Sequence, residues 1–390
     1  MDFRDSPAEA AFRAEFRAWL ARHAPKEPVP LHGPPRARFL GRWHRALYEG
    51  GWMGLSWPVE YGGKGLPAVY EAIFNEEIGA AGAPPAPHVG FLGRALLHYG
   101  TEEQRAAYLP GLLSGEQVWC QGFSEPGAGS DLAALSTRAE LCEFDGDPQG
   151  GYLINGQKVW TSDAAWADLC LLLVRTDPAA PRHRGISAVI VDMHAPGVEV
   201  RPIVQVNGDT EFNEVFFTDV KVPVSALVGR PGQGWEIAMT TVAYERGPTD
   251  VGFSSRYARV LTELEGRARA AAEAGRPLDA SLRLELARAH VQVAVLRAHV
   301  LRSLSARAGG KAPGPEGSVD KLLATRTEQM LHHVAMDVAA ELGDAAPLVG
   351  AEPAVLSDYL YSRGASIAGG TRQIQLGIVA ERLLGLPRAR

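Results

Sequence analysis

Apolar positions change their period twice along the chain. Up to about residue 118 they recur at helical spacing, with Phe12, Phe16, Trp19 and Leu20 on one face. Ser6-Pro7-Ala8-Glu9 forms a capping-box start with Pro at the first helical position, and Thr101-Glu102-Glu103-Gln104 repeats that start. Loops punctuated by Pro and Gly are expected at 25–35 and 58–67. From about 119 to 227 the runs shorten. Tyr152-Leu153-Ile154 and Gln157-Lys158-Val159-Trp160 flank Asn155-Gly156, the pair that type I′ turns favour, and predict a hairpin. With further short runs at 169–174, 186–191, 198–204 and 215–217, they suggest a small antiparallel barrel or sandwich. From about 233 the helical period returns. Leu282, Leu286, Ala289, Val293, Leu296, Val300 and Leu304 step along one face. Segments near 233–267, 280–307, 317–343, 353–364 and 373–384 predict a helix bundle. The chain reads as α+β: helical over 1–118, strand-rich over 119–227, and helical again over 228–390.

Composition narrows the function. The 390 residues are 46% hydrophobic and 22% charged, which is ordinary globular usage. A net charge of −6 without an extended basic run argues against nucleic acid, whose phosphates need clustered Lys and Arg. Cys120, Cys142 and Cys170 lack metal-ligand spacing, and their odd number fits a reducing compartment. Asp2 and Asp5 stand where a secretory leader would be basic, and no apolar run approaches the roughly 20 residues of a membrane span. A cytoplasmic protein is expected.

Four segments carry candidate chemistry. Ser124-Glu125-Pro126-Gly127-Ala128-Gly129-Ser130-Asp131 has the Gly and Pro content to bring backbone amides close to a flat ligand, or to form a tight surface loop. No Gly-x-Gly-x-x-Gly follows a strand, so a Rossmann site is not indicated. Trp160 is either a core aromatic or, with Ser162, a ring-stacking surface with a hydroxyl beside it. Gly234-Trp235 leads into a helix ending at Tyr244-Glu245-Arg246, where the apolar run 238–243 makes a buried carboxylate plausible. Gly369-Gly370-Thr371 precedes a helix whose first N–H groups are open either to a ligand or to capping by Thr371.

Together these segments resemble the acyl-CoA dehydrogenase family. Glu125-Pro-Gly-Ala-Gly-Ser-Asp131, Ile154-Asn-Gly-Gln-Lys-Val-Trp160, Phe216-Phe217-Thr-Asp-Val-Lys-Val-Pro223, Gly234-Trp235, and Gly370-Thr371-x-Gln-Ile-Gln375 with Glu381-Arg-Leu-Leu-Gly-Leu-Pro387 stand in the family's order over nearly the whole chain. The resemblance implies an N-terminal helical domain, a middle β-barrel and a C-terminal four-helix bundle. It implies FAD, contacted by Phe123, Ser124, Ser130, Trp160 and Ser162, with Thr371 and Gln373 as tail contacts. Ser130, Arg246 and Gly369 match positions near the acyl-CoA. Electrons are expected to leave through an electron-transfer flavoprotein. The rival readings are a flavin oxidase or monooxygenase on this fold, and a non-catalytic subunit.

Two departures shape the expectation. Most members place the catalytic Glu just before the Gly-Thr of the tail, where this chain has Gly369. A minority, including isovaleryl-type, long-chain and bacterial steroid side-chain enzymes, carries it in a Glu-Arg pair on the first bundle helix, and Glu245 matches that place. Burial beside flavin and thioester is expected to raise its pKa towards neutrality. Further, the family's Arg-x-x-Phe-Gly grip on a neighbour's FAD pyrophosphate is replaced within Ala270–Gly275, with Ala271 and Ala274 at the Arg and Phe positions. Its Gln-x-x-Gly-Gly segment is replaced by Ala340–Asp344. The chain is therefore expected either in a homo-oligomer or as the catalytic half of a heterotetramer with a second acyl-CoA dehydrogenase-like chain.

Overall fold

The computed structural model describes residues 4–30, 33–85, 89–144, 147–245, 248–308, 314–343 and 354–387. The side chains of residues 89, 91, 147–149, 245, 248–250, 307–308 and 354 are outside that description. In chain order the helices are α1 (Pro7–His23), α2 (Gly33–Glu49), α3 (Ala68–Ala81), α4 (Val89–Tyr99), α5 (Glu102–Ser114), α6 (Gly234–Glu245), α7 (Pro248–Glu273), α8 (Ala280–Ala308), α9 (Glu316–Glu341), α10 (Ala354–Tyr361) and α11 (Arg372–Ile378). Between α5 and α6 lie β1 (Trp119–Gly122), β2 (Arg138–Phe144), β3 (Asp147–Ser162), β4 (Leu169–Arg175), β5 (Ile186–Asp192), β6 (Val198–Pro202), β7 (Phe212–Pro223) and β8 (Leu227–Val228).

Both expected capping boxes are present. The Glu9 amide donates to Ser6 Oγ while the Ser6 amide donates to Glu9 Oε2, and Thr101 with Gln104 does the same. Each pair satisfies two amides that have no partner inside the helix.

Contacts divide the chain into two compact units that do not follow chain order. One comprises residues 28–65 and 87–245 and holds α2, α4, α5, the sheet and α6. Its strands run in the order β6-β7-β3-β2-β4-β5-β8, with β1 paired to β4. The pairing is antiparallel except at β1–β4 and at one β2–β4 pair, so the sheet is more mixed than the strand spacing suggested. Residues 186–191 of β5 are buried throughout, because α6 covers one face: a Cβ on Gly234 would lie 2.5 Å from the Ser187 carbonyl carbon. A strand covered on both faces reads as a continuous apolar run.

The Asn155-Gly156 hairpin is not formed. Both residues lie inside β3, which pairs with β2 through Arg138↔Asn155 and with β7 on its other side. The β3–β7 register slips between Ile154 and Gly156. Asn155 Nδ2 donates to Asp219 Oδ1 at 3.0 Å and the Asp219 amide returns a bond to Asn155 Oδ1 at 3.0 Å, pinning Asp219 at φ 51°. A Cβ on Gly156 would meet Thr137 Cα at 2.6 Å. The pair thus serves a β-bulge and a close backbone approach, both of which also favour Asn and Gly.

The other unit comprises residues 1–27, 66–86 and 246–390, and is helical. The α8 stripe read from the sequence is its core: Leu282, Leu286, Ala289, Val293, Leu296 and Val300 are buried with Leu331, Val334 and Val338 of α9. Where one helix was expected over 233–267, helical structure falls into α6 and α7, and residues 246–247 lie outside the described part. Among the described residues, no helix is long and apolar enough to cross a membrane.

Candidate functional site

The segment 124–131 is held from beneath by one carboxylate. Pro126 and Gly127 close a tight turn, with Glu125 and Ala128 exchanging backbone hydrogen bonds at 3.1 and 3.0 Å. Glu125 Oε1 accepts from Lys158 Nζ at 2.8 Å and from the Thr137 amide at 2.9 Å. Its Oε2 accepts from the Ser136 amide at 2.7 Å and the Ser136 hydroxyl at 2.8 Å. Lys158 is wholly buried and also donates to the Phe123 carbonyl at 3.2 Å. Burial opposes ionisation of Glu125, but the Lys158 charge and these donors outweigh it and hold the carboxyl at about 2. Burial drives Lys158 the other way, below the usual lysine range. The 2.8 Å contact and the full set of donors favour the charged pair.

Sequence reasoning did not single out this pair, although Ile154 and Lys158 share a fully buried face of β3. A lysine at an inward strand position was the available signal.

A bulge just after the lysine sets the direction of Trp160. Lys158 pairs with Val215 but Thr161 pairs with Asn213, so β3 carries one extra residue between them. That bulge turns Trp160 out to 59% exposure at φ 61°, a backbone conformation bulky side chains avoid. Phe212 meets its ring edge-on at 6.1 Å. The Val159 amide donates to the Ser124 carbonyl at 2.9 Å, so the 124–131 segment and the Trp160 bulge are stitched together. Ser162 follows at the end of β3, partly buried. Phe123 is buried and Ser130 exposed. Among the described residues, and apart from the flanking ones, no atom lies within 4 Å of a Cβ added at Gly127 or Gly129. A large aromatic held outward, a glycine loop with open space and nearby hydroxyls suit a flat, polar-edged ring such as a flavin.

Thr371, Gln373 and Gly369 belong to the helical unit. Gly369 and Gly370 have φ of 62° and 95°, and Thr371 Oγ1 caps α11 by accepting from the Ile374 amide. Gln373 is exposed, whereas Gln375 is buried and donates to the Gly369 carbonyl at 3.0 Å. The two departing segments meet here. Ala270 and Ala271 line a cleft of about 260 Å³ with Leu342, and the cleft also carries Arg267 and Arg276. Glu245 is the last residue of α6 and its side chain lies outside the described residues, as does Arg246 altogether. No cluster of metal-ligating side chains occurs among the described residues.

The sequence patterns of the acyl-CoA dehydrogenase N-terminal, middle and C-terminal domains match residues 6–116, 120–220 and 232–384. The acyl-CoA dehydrogenase IpdE1 of Mycolicibacterium smegmatis is 41% identical over 97% of both chains. The solved structure described as the Tcur3481-Tcur3483 steroid ACAD superposes with a TM-score of 0.85 at 30% identity, covering 100% of both chains. The ChsE4-ChsE5 complex from Mycobacterium tuberculosis does so with a TM-score of 0.80, again at 30% identity and 100% of both chains. With three domain patterns in order and a near full-length relative, the chain belongs to the acyl-CoA dehydrogenase family.

Proposed function

We propose that the chain carries out α,β-dehydrogenation of an acyl-CoA thioester to the trans-2-enoyl-CoA with Glu245 as general base. The cofactor is FAD, as in the family, and it accepts the Cβ hydride at flavin N5 when bound. Glu245 takes the Cα proton, so the substrate loses one proton and one hydride in all. The observation that carries this reading is Gly369: the usual site of the family's base holds no ionisable group, while α6 ends in a carboxylate. In support, α6 belongs to the same compact unit as Trp160 and the 124–131 segment. Ser124, Ser130 and Ser162 offer hydroxyls to the flavin edge, and Trp160 and Phe123 flank its ring; in the family's pattern Thr371 and Gln373 match flavin tail contacts, and Arg246 and Gly369 match positions near the acyl group.

Anaerobic bleaching of the bound flavin by acyl-CoA tests the base. Glu245→Gln is expected to slow bleaching by about 10²–10⁴-fold with flavin content intact. Near-normal bleaching ends the assignment.

The substrate is a bulky, steroid-derived acyl-CoA, supported by the absent side chain at Gly369 and by the steroid ACAD likeness. The electrons pass to an electron-transfer flavoprotein. The chain works as the catalytic half of a heteromer, a reading supported by Ala271 and Ala274 in place of the pyrophosphate grip and by the two-component ChsE4-ChsE5 likeness. Purified alone, it should be flavin-poor, and co-purification with its partner should restore one FAD per site. A full complement of flavin in the lone chain would refute the heteromer.

A further inference from the structure

We infer that Tyr244 is a positioning residue, gripped by Arg94 and His98 of α4, that fixes the end of α6 on which Glu245 stands. The end of a helix holds itself poorly, because its last carbonyls lack partners within the helix and the final turn frays. A base carried there needs support from outside, since a displacement of about 1 Å at a reacting group is costly.

α4 supplies that support at two positions one turn apart on α6. At the first, Tyr99 Oη and Thr240 Oγ1 share a hydrogen bond at 2.9 Å. At the second, the Arg94 guanidinium stands over the Tyr244 ring, 5.3 Å from its centroid. The His98 ring stacks on Tyr244 at 5.6 Å with 26° between the planes, and its Nε2 lies 3.2 Å from the Tyr244 hydroxyl. Arg94 and His98 are four residues apart on α4, so both reach the same ring. A cation is attracted to an aromatic face, and one at the C-terminal end of α6 also complements the helix dipole.

Arg94 is itself rooted. It donates to the Ser56 hydroxyl, in the loop after α2. The next residue of that loop, Trp57, is 1% exposed, and Gly93 leaves no room for a Cβ against its ring, so α4 lies flush on the indole. The inner face of α6 is anchored by Ile237, Ala238 and Thr241, all fully buried. Tyr244 carries the hold one turn further, to the residue before Glu245. Every member of this series belongs to the sheet unit. The bond from Tyr244 to His98 is open to water and contributes little, so the ring contacts do the holding. Phenylalanine should therefore serve at 244, and leucine should not.

The inference rests on Glu245 as the base. It is tested on the flavin-loaded enzyme by anaerobic bleaching, with whichever of butyryl-, isobutyryl- and a steroid side-chain acyl-CoA bleaches the parent fastest. That thioester is used with hydrogen or deuterium at Cα. Tyr244→Leu should lower the saturating bleaching rate roughly 10–100-fold, enlarge the Cα isotope effect and leave the half-saturating concentration nearly unchanged. Tyr244→Phe should behave as the parent. Arg94→Met, which leaves α6 untouched, should show the same pattern to a smaller extent. In a Glu245→Gln background, Tyr244→Leu should slow bleaching no further, as expected of residues that act as a unit. A parental rate in Tyr244→Leu overturns the proposal, and so does an equal loss in Tyr244→Phe. A raised half-saturating concentration with an unchanged isotope effect also overturns it, by assigning Tyr244 to binding. A wrong assignment of Glu245 would surface separately, as near-normal bleaching by Glu245→Gln alone.

Discussion

Lys158 with Glu125, and Glu328 with Arg256 and His332, are two sets of ionisable groups drawn wholly or partly out of water and handled in opposite ways. In the sheet unit, both partners are buried, Lys158 completely, and every acceptor site of the carboxylate faces a donor. In the helical unit, the groups are only partly shielded and under-paired. Burial, reinforced by the Asp358 charge, raises Glu328 to about 7 against a hydrogen bond from Tyr257. Burial and the charges of Arg363 and Arg256 lower His332 to about 4. The contrast separates a charge used to fix geometry from charges tolerated beside a core. Only the first builds a surface with a task, because it sets the turn at 125–128 and the strand from which Trp160 projects.

The largest expected effect comes from breaking the satisfied pair. Lys158→Met leaves Glu125 buried and uncompensated, and should cost about 3–5 kcal/mol in denaturant unfolding. Adding Glu125→Gln should recover part of that loss, since no orphaned charge remains. If the single variant is nearly as stable as the parent, the ion pair is not what holds the loop.

Glu328 is expected to give a smaller effect, and one that depends on pH. An unfolded Glu releases its proton near pH 4.3, while this one keeps it to about 7. Between those values the folded chain binds more protons, so stability falls as pH rises, by roughly 2 kcal/mol after allowance for solvent screening. Glu125 has the opposite sign, because its stabilisation is present above about pH 4.3 and is lost as pH falls towards 2. His332, lowered to about 4, contributes the opposite slope up to about pH 6.5, so melting temperatures across pH 5 to 6.5 should change little in the parent and rise with pH in Glu328→Gln. Parallel profiles in both would remove Glu328 as a cause.

The smallest test compares the units through matched caps. Ser6→Ala and Thr101→Ala each remove one side-chain acceptor at a helix start, and should cost about 1 kcal/mol each. Hydrogen exchange read separately over α1 and α5 should show each loss confined to its own unit. A loss spread evenly over both would mean that they open together.

These contrasts also explain what the sequence could and could not convey. Caps and the α8 stripe were legible because each depends on neighbours three or four positions away. Asn155-Gly156 was misread because a tight turn and a bulge make the same demand on the backbone, and only the partner strand tells them apart. Trp160 stayed ambiguous between core and platform until the extra residue in β3 showed which way it turns. The Lys158–Glu125 pair lay 33 residues apart, beyond any local pattern.

Gly369 carries one more consequence. Its φ of 62° lies in the left-handed region, where a side chain other than Gly costs roughly 1–2 kcal/mol. Restoring a glutamate there, as most of the family has it, would ask the tail to bend as well as to change its letter. With Glu245 as the proposed proton acceptor, the tail needs no carboxylate at this position and can keep a backbone shape that only glycine holds cheaply.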